Sequence, residues 1–186
     1  MTNVLKKRND LPAELPQQIL QQTADKIYNI ENASSVNNIV NYIPARKILS
    51  PNEYYNLFIN YGEKYDSNAF YLKNDRIFEY TNTAIIQRFS QFTLEEIDEI
   101  IRLPALLLPE YRDSNQDIKS GFFGKIIDIN RTGEYTRFDF NKEIEINLNL
   151  VELHQSELKI EDWELSRTHW AIKRTNLEDI LEKIKK

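Results

Sequence analysis

Glycine punctuates this chain in one place only. Of its four glycines, Gly121, Gly124 and Gly133 fall within a single short segment, so the backbone freedom used by bulges, close strand approaches and tight turns is concentrated there. That clustering divides the chain. Ahead of it the apolar spacing is mostly helical; behind it come runs that read as strands, then helix again.

The strand reading starts at the glycines. Phe122 to Ile129 is apolar and β-branched, Asn130 to Gly133 reads as a turn, and Tyr135 to Phe140 returns. Glu143 to Leu150 then alternates polar and apolar without a fault, the pattern of a strand with one wet face and one buried face. Three short antiparallel strands make a meander. Strong curling would close it into a small SH3-like barrel, and a sheet packed on helices fits equally well. Gly121-Phe122-Phe123-Gly124-Lys125 lacks the spacing and the Ser or Thr of a phosphate-binding P-loop, so its glycines are read as a bulge or close approach where the sheet begins.

The helical reading rests on capping signals. Pro16 to Ile30 carries Leu20, Ala24, Ile27 and Tyr28 at helical spacing, and Asn32 to Ile48 reads as loop with a short helix through Val36 to Val40. Ser50-Pro51-Asn52-Glu53 has the form of a capping box, followed by Tyr54, Leu57, Phe58 and Tyr61 on one helical face up to Gly62. Asp66 to Tyr80 is expected to form a hairpin turning at Asn74 and Asp75, with helix through Ala84 to Phe89. Thr93-Leu94-Glu95-Glu96 predicts another capped helix, ending before Pro104, and Thr175 to Glu178 caps the last one, through Ile184. The acids Glu95, Glu96, Asp98 and Glu99 are explained as a helix face placed where the dipole favours negative charge.

Composition removes several classes of function. The 186 residues contain no cysteine, which excludes a disulfide framework, thiolate metal sites and a thiol nucleophile, and points to a cytoplasmic setting. Lys6, Lys7 and Arg8 are not followed by an apolar signal core, and the longest apolar run, Ala105 to Leu108 between two prolines, is too short to span a membrane. A net charge of −5 argues against a dedicated nucleic-acid binder without excluding a local basic face.

The densest chemistry lies in Trp163 to Lys173, which holds both tryptophans and one of the two histidines. Read as a helix, it places Leu165, His169 and Ile172 on one face and Arg167 between Trp163 and Trp170 on the next, suited to cation–π stacking. The segment then either seals the sheet or presents Arg167, Thr168 and His169 to an anionic group or partner, with Trp163 and Trp170 flanking them. Around the hairpin, Lys125, Arg131 and Arg137 stand among aromatics, a composition that suits single-stranded nucleic acid.

Glu157-Leu158-Lys159, downstream of Asp128 and Asp139, is similar to the Glu-x-Lys arrangement of metal-dependent nucleases of the PD-(D/E)xK type. The resemblance implies Mg²⁺ held by Asp139 and Glu157, with Lys159 steadying the attacking water or the phosphate. No metal or cofactor motif is otherwise evident.

The expected fold is α+β, with a helical N-terminal half, an antiparallel sheet or small SH3-like barrel, and C-terminal helices packed on it. Residues 1–112 would be mainly helical and 113–186 would carry the sheet, as one composite domain. The expected function is a non-enzymatic interaction or regulatory module of a bacterial cytoplasm, accessory to a larger assembly, with a protein partner or a second copy of itself and no membrane. The alternatives are a metal-dependent phosphodiesterase or nuclease and a single-strand nucleic-acid binder.

Overall fold

Six strands, β1 (Tyr55–Asn60), β2 (Ala69–Lys73), β3 (Pro104–Pro109), β4 (Ser120–Thr132), β5 (Tyr135–Asn147) and β6 (His169–Lys173), form one mixed sheet in the order β2-β5-β4-β3-β1-β6. Only β1 and β3 run parallel; every other neighbouring pair is antiparallel. The computed structural model describes residues 47–61, 67–110 and 120–184, all within one compact unit spanning Ala45–Lys186.

The centre of the sheet is apolar on both faces. All residues of β1, β3 and β6 are buried, because helices α1 (Thr83–Arg88) and α2 (Leu94–Ile101) lie on one side and α3 (Leu148–Leu153) and α4 (Leu177–Ile184) on the other. Alternate residues of each strand serve opposite cores. Phe58, Ala105 and Leu107 join Ile85, Phe89 and Ile100, whereas Leu57, Ile59 and Leu106 join Val151, Leu177 and Ile180.

The sheet also curls. Strands lie roughly 4.8 Å apart, so β1 and β2, four steps apart in a flat sheet, would be separated by about 19 Å. Instead the Phe58 ring on β1 lies 5.2 Å from Phe70 on β2 and 5.0 Å from Phe138 on β5, and it stacks 5.7 Å from Trp170 on β6. Curvature is localised by two register shifts between β4 and β5, at Phe123/Gly124 and Ile126/Asp128. Gly124 is required at the first, since a Cβ there would collide with the Asn141 carbonyl.

A helical N-terminal half is not what the structure shows. The described residues contain more strand than helix, in a mixed six-stranded sheet rather than an antiparallel sheet or SH3-like barrel. The expected helix from Pro16 to Ile30 and the short one through Val36 to Val40 lie outside the described residues. The largest single correction is the stretch read as a helix after Ser50. The amides of Glu53 and Tyr54 donate to the Ser50 carbonyl and that of Asn52 to its hydroxyl, so the capping residues form a turn, but the turn leads into β1. A strand buried on both faces has no polar alternation to betray it, and the apolar spacing of Tyr54, Leu57 and Phe58 imitates a helix.

Burial on both faces also explains β3, left unassigned from sequence, and β6, but not the pairing of β2, whose burial alternates. Ala105 to Leu108 is the buried strand β3, Trp163 to Lys173 is not a helix but a 3-10 turn (Glu164–Ser166) followed by β6, and β2 pairs with β5 rather than with the residues after Asn74. The three-strand meander is one long hairpin of two, and the last residues of its faultless alternation, Leu148 to Leu150, begin α3. The helix starting after Thr93 forms with its reciprocal cap, Thr93 Oγ1 accepting from the Glu96 amide and the Glu96 carboxylate from the Thr93 amide. α1 and α4 form as expected, although Asn176 rather than Thr175 caps α4.

Candidate functional site

Curling brings the two edges of the sheet towards each other, and the chain leaving β2 closes the seam. After a 3-10 turn (Asn74–Arg76), Ile77 forms a parallel bridge with Trp170 of β6, and Thr81 Oγ1 accepts the Ile172 amide at 2.9 Å. The otherwise open edge of β6 is thereby covered. Within this strap Phe78 and Tyr80 adopt left-handed backbone angles, φ 61° and 59°, which costs a non-glycine residue of order 1 kcal/mol. The conformation sends Phe78 onto Trp170, 4.4 Å between ring centres, and turns Tyr80 edge-on to Trp163 and His169, at 4.2 Å and 4.9 Å.

Beneath the strap lies a buried ionic cluster. Glu164, fully buried, receives Lys173 Nζ at 2.6 Å on one oxygen and faces His169 Nε2 at 3.4 Å with the other. His169 Nδ1 is 2.6 Å from the Arg167 carbonyl. Burial would raise the Glu164 carboxyl, but the approach of His169 and Lys173 to its two oxygens outweighs it and holds it below the ordinary carboxylate range. The Tyr55 hydroxyl, which donates to the Leu158 carbonyl at 2.7 Å, is pushed well up, by burial first and then by Glu164. An ion pair so enclosed is a strut, costly to break from one side.

Two concavities flank this strut, at opposite ends of β6. The first, a cleft of about 720 Å³, opens at the seam near the ends of β1 and β3. Tyr61, Tyr71, Tyr135 and Trp163 line it, and they are 56%, 61%, 43% and 50% exposed. No other large aromatic among the described residues is exposed. Three cations, Lys73, Arg76 and Arg167, also line it. Glu79 of the strap holds both arginines, Arg76 at 3.1 Å and Arg167 at 3.0 Å, and Thr168 Oγ1 donates to Glu110 at 2.6 Å while accepting the Tyr61 amide. Three cations against two carboxylates leave the cleft one charge from balance. The second concavity, about 710 Å³, lies beyond the strap at the Lys173 end of β6.

The structure separates the residues nominated in Trp163 to Lys173. Arg167 does not sit between two indoles. Trp163 and Arg167 reach the cleft with Thr168, His169 turns inward to Glu164, and Trp170 is wholly buried, its indole N–H donating to Asn56 Oδ1 at 3.1 Å. A strand alternates its side chains, so spacing that converges on a helix diverges here.

The hairpin cations are divided as well. Arg137 pairs with Asn130 and Tyr71 across the sheet and binds Asp139 at 2.7 Å. Arg131, opposite Thr136, points to the other face and lies 5.5 Å from the Phe92 ring. Lys125 is exposed on the same face as Arg137, opposite Asn141. Nor are Asp139, Glu157 and Lys159 brought into one metal site: Asp139 holds Arg137, Glu157 holds Lys183 and His154, and Lys159 lines the second concavity. Among the described residues no group of three or more His, Asp or Glu side chains is arranged to hold a metal ion.

Set against known proteins, the chain matches no family model, no curated protein and no solved structure. The site therefore stands on its own chemistry. Glu79, Tyr80, Glu164, Tyr61 and Tyr71 were not singled out from sequence, because only the curl and the strap bring them together. The one available signal was the alternation Tyr135, Arg137, Asp139, which marks an outward face.

Proposed function

We propose that this chain is a protein-recognition module, a non-enzymatic accessory of a bacterial cytoplasm that docks its partner in the seam cleft. The observation that carries the reading is the gathering of Tyr61, Tyr71, Tyr135 and Trp163, the exposed large aromatics of the described residues, around a single cleft. Trp, Tyr and Arg supply most binding hot spots, since they give large contact area at low entropic cost. Glu79 already orders Arg76 and Arg167, which lowers what binding must spend on fixing them. Near-balanced charge suits a protein surface better than a phosphate backbone, which demands unmatched cations. The absence of cysteine fits a reducing compartment, and no helix among the described residues is long and apolar enough to cross a membrane.

Native mass spectrometry of the chain isolated gently from its own organism tests the reading. A partner, or a second copy, is expected at fixed stoichiometry in the wild type and is lost in Tyr71→Ala/Trp163→Ala. A wild-type chain that is monomeric and alone contradicts it.

Single-stranded nucleic acid is the second reading, favoured by Tyr71, Arg137 and Asn130 lying in one row across the uncovered sheet face. Asp139 and Asp128 share that face and offset Arg137 and Lys125. Titration with oligo(dT) at two salt concentrations decides: tight, steeply salt-dependent binding lost in Arg137→Ala replaces the protein reading with this one.

A further inference from the structure

The concavity at the Lys173 end of β6 differs in kind from the cleft. Five cations line it, Lys47, Arg88, Lys159, Lys173 and Arg174, and no carboxylate does among the described residues. Two of the five are matched from behind. Arg88 binds both oxygens of Glu99, at 2.5 Å and 2.7 Å, and Lys173 binds Glu164. Lys47 and Arg174 face this opening with no carboxylate among the described residues of its lining, and Lys159 stands at its edge, shared with a neighbouring groove that Glu152, Glu161 and Asp162 line. Like charges gathered in a concave wall repel one another and focus a positive potential, an arrangement that an anion relieves.

The remaining wall is not that of a bare phosphate site. Tyr54 and Tyr80 contribute half-buried rings, Leu49, Ile85 and Ile172 form a buried apolar floor, and Asn82 offers an amide. The Arg174 guanidinium lies 5.9 Å from the Tyr54 ring centre, so cation and aromatic already share one wall. A volume of about 710 Å³ falls within the range of small-molecule sites and exceeds what one phosphate fills.

Backbone strain points to the same place. Lys159 has φ 61°, in the left-handed region that an L-residue with a long side chain rarely occupies. Its amide donates to the Ser156 carbonyl at 3.2 Å in a turn that glycine would make without strain. Tyr80, also left-handed, lines the same cavity. A lysine where a glycine would serve the fold better is explained if the side chain has work to do at the mouth.

We propose that this cavity binds a nucleotide, its phosphates held by Lys47, Lys159 and Arg174 and its planar base against Tyr54 or Tyr80. The site is independent of the seam cleft and of any protein docked there.

Isothermal titration calorimetry of the full chain with ATP, AMP, pyrophosphate, inorganic phosphate and adenosine tests it. Saturable ATP binding is expected, weakened about tenfold or more by Arg174→Ala or Lys159→Ala, as loss of a charge-assisted hydrogen bond requires. Tyr54→Ala weakens ATP but leaves pyrophosphate unchanged. Lys159→Gly is the sharpest variant: its thermal midpoint is no lower than wild type, while its ATP affinity falls as in Lys159→Ala. The proposal is overturned if no probe binds saturably, or if binding survives both charge variants. Pyrophosphate or inorganic phosphate binding as tightly as ATP overturns the nucleotide assignment, leaving a simple anion site.

Discussion

The seam cleft and the cavity behind the strap are built from the same residue types at opposite ends of one strand, yet their charges are arranged in opposite ways. In the cleft Glu79 takes two arginines and only one positive charge is left over. In the cavity Lys47 and Arg174 face no carboxylate among the described lining residues, and Lys159 stands at the edge. Counting charged residues would have called both regions basic. The difference lies in where carboxylates stand, and it separates a surface suited to protein contact from one suited to an anion. Tyr80 lines the cavity and only backs the cleft, through its contact with the Trp163 ring, so the strap is the partition.

The largest expected effect comes from removing what both regions lean on. Glu164→Gln leaves Lys173 and His169 buried without their carboxylate, and urea denaturation is expected to show a loss of about 3–5 kcal/mol. Acid probes the same strut without mutation. Because the folded carboxyl titrates below its ordinary value, its contribution is fully present above the unfolded pKa and is lost as pH falls through the lowered folded one. The urea midpoint of the wild type should therefore fall on acidification below the ordinary carboxylate range, and more steeply than that of Glu164→Gln. Equal slopes would mean that Glu164 is not held by its partners.

Next in size are the cleft aromatics. Tyr71 and Trp163 are exposed, so alanine at either should barely move the unfolding midpoint while weakening partner binding by about 2 kcal/mol, read from native mass spectra or a titration once the partner is in hand. A fall in stability matching the fall in binding would make them fold residues instead. The smallest effect is expected at Arg167→Ala. Its ion pair with Glu79 faces water on the arginine side, and the thermal midpoint should stay within error of wild type while partner dissociation quickens.

Local signals were legible and non-local ones were not. Thr93 with Glu96 and the turn ending at Gly133 act within a few residues, and the helix and the hairpin they mark are present. β1, β3 and β6 escaped because strands buried on both faces show no alternation, and Tyr54, Leu57 and Phe58 fell by chance on a helical spacing. The same misreading placed Arg167 between two tryptophans that the strand sends to different environments. Glu79 carries no distinguishing neighbours in sequence, and Glu164, although beside Trp163, falls in a segment whose spacing reads as helix; their roles come from a sheet that curls until Phe58 meets Phe70.

Hydrogen exchange on the full chain, isolated with whatever remains bound and again after stripping, tests most directly that the cleft is the docking surface. Protection is expected at amides around Tyr61, Tyr71 to Arg76, Tyr135 and Trp163 to Thr168, and it persists when a co-purified nucleotide at the Asn82 to Arg88 and Arg174 side is removed alone. Protection confined to the cavity side, with the cleft exchanging equally in both samples, would contradict it.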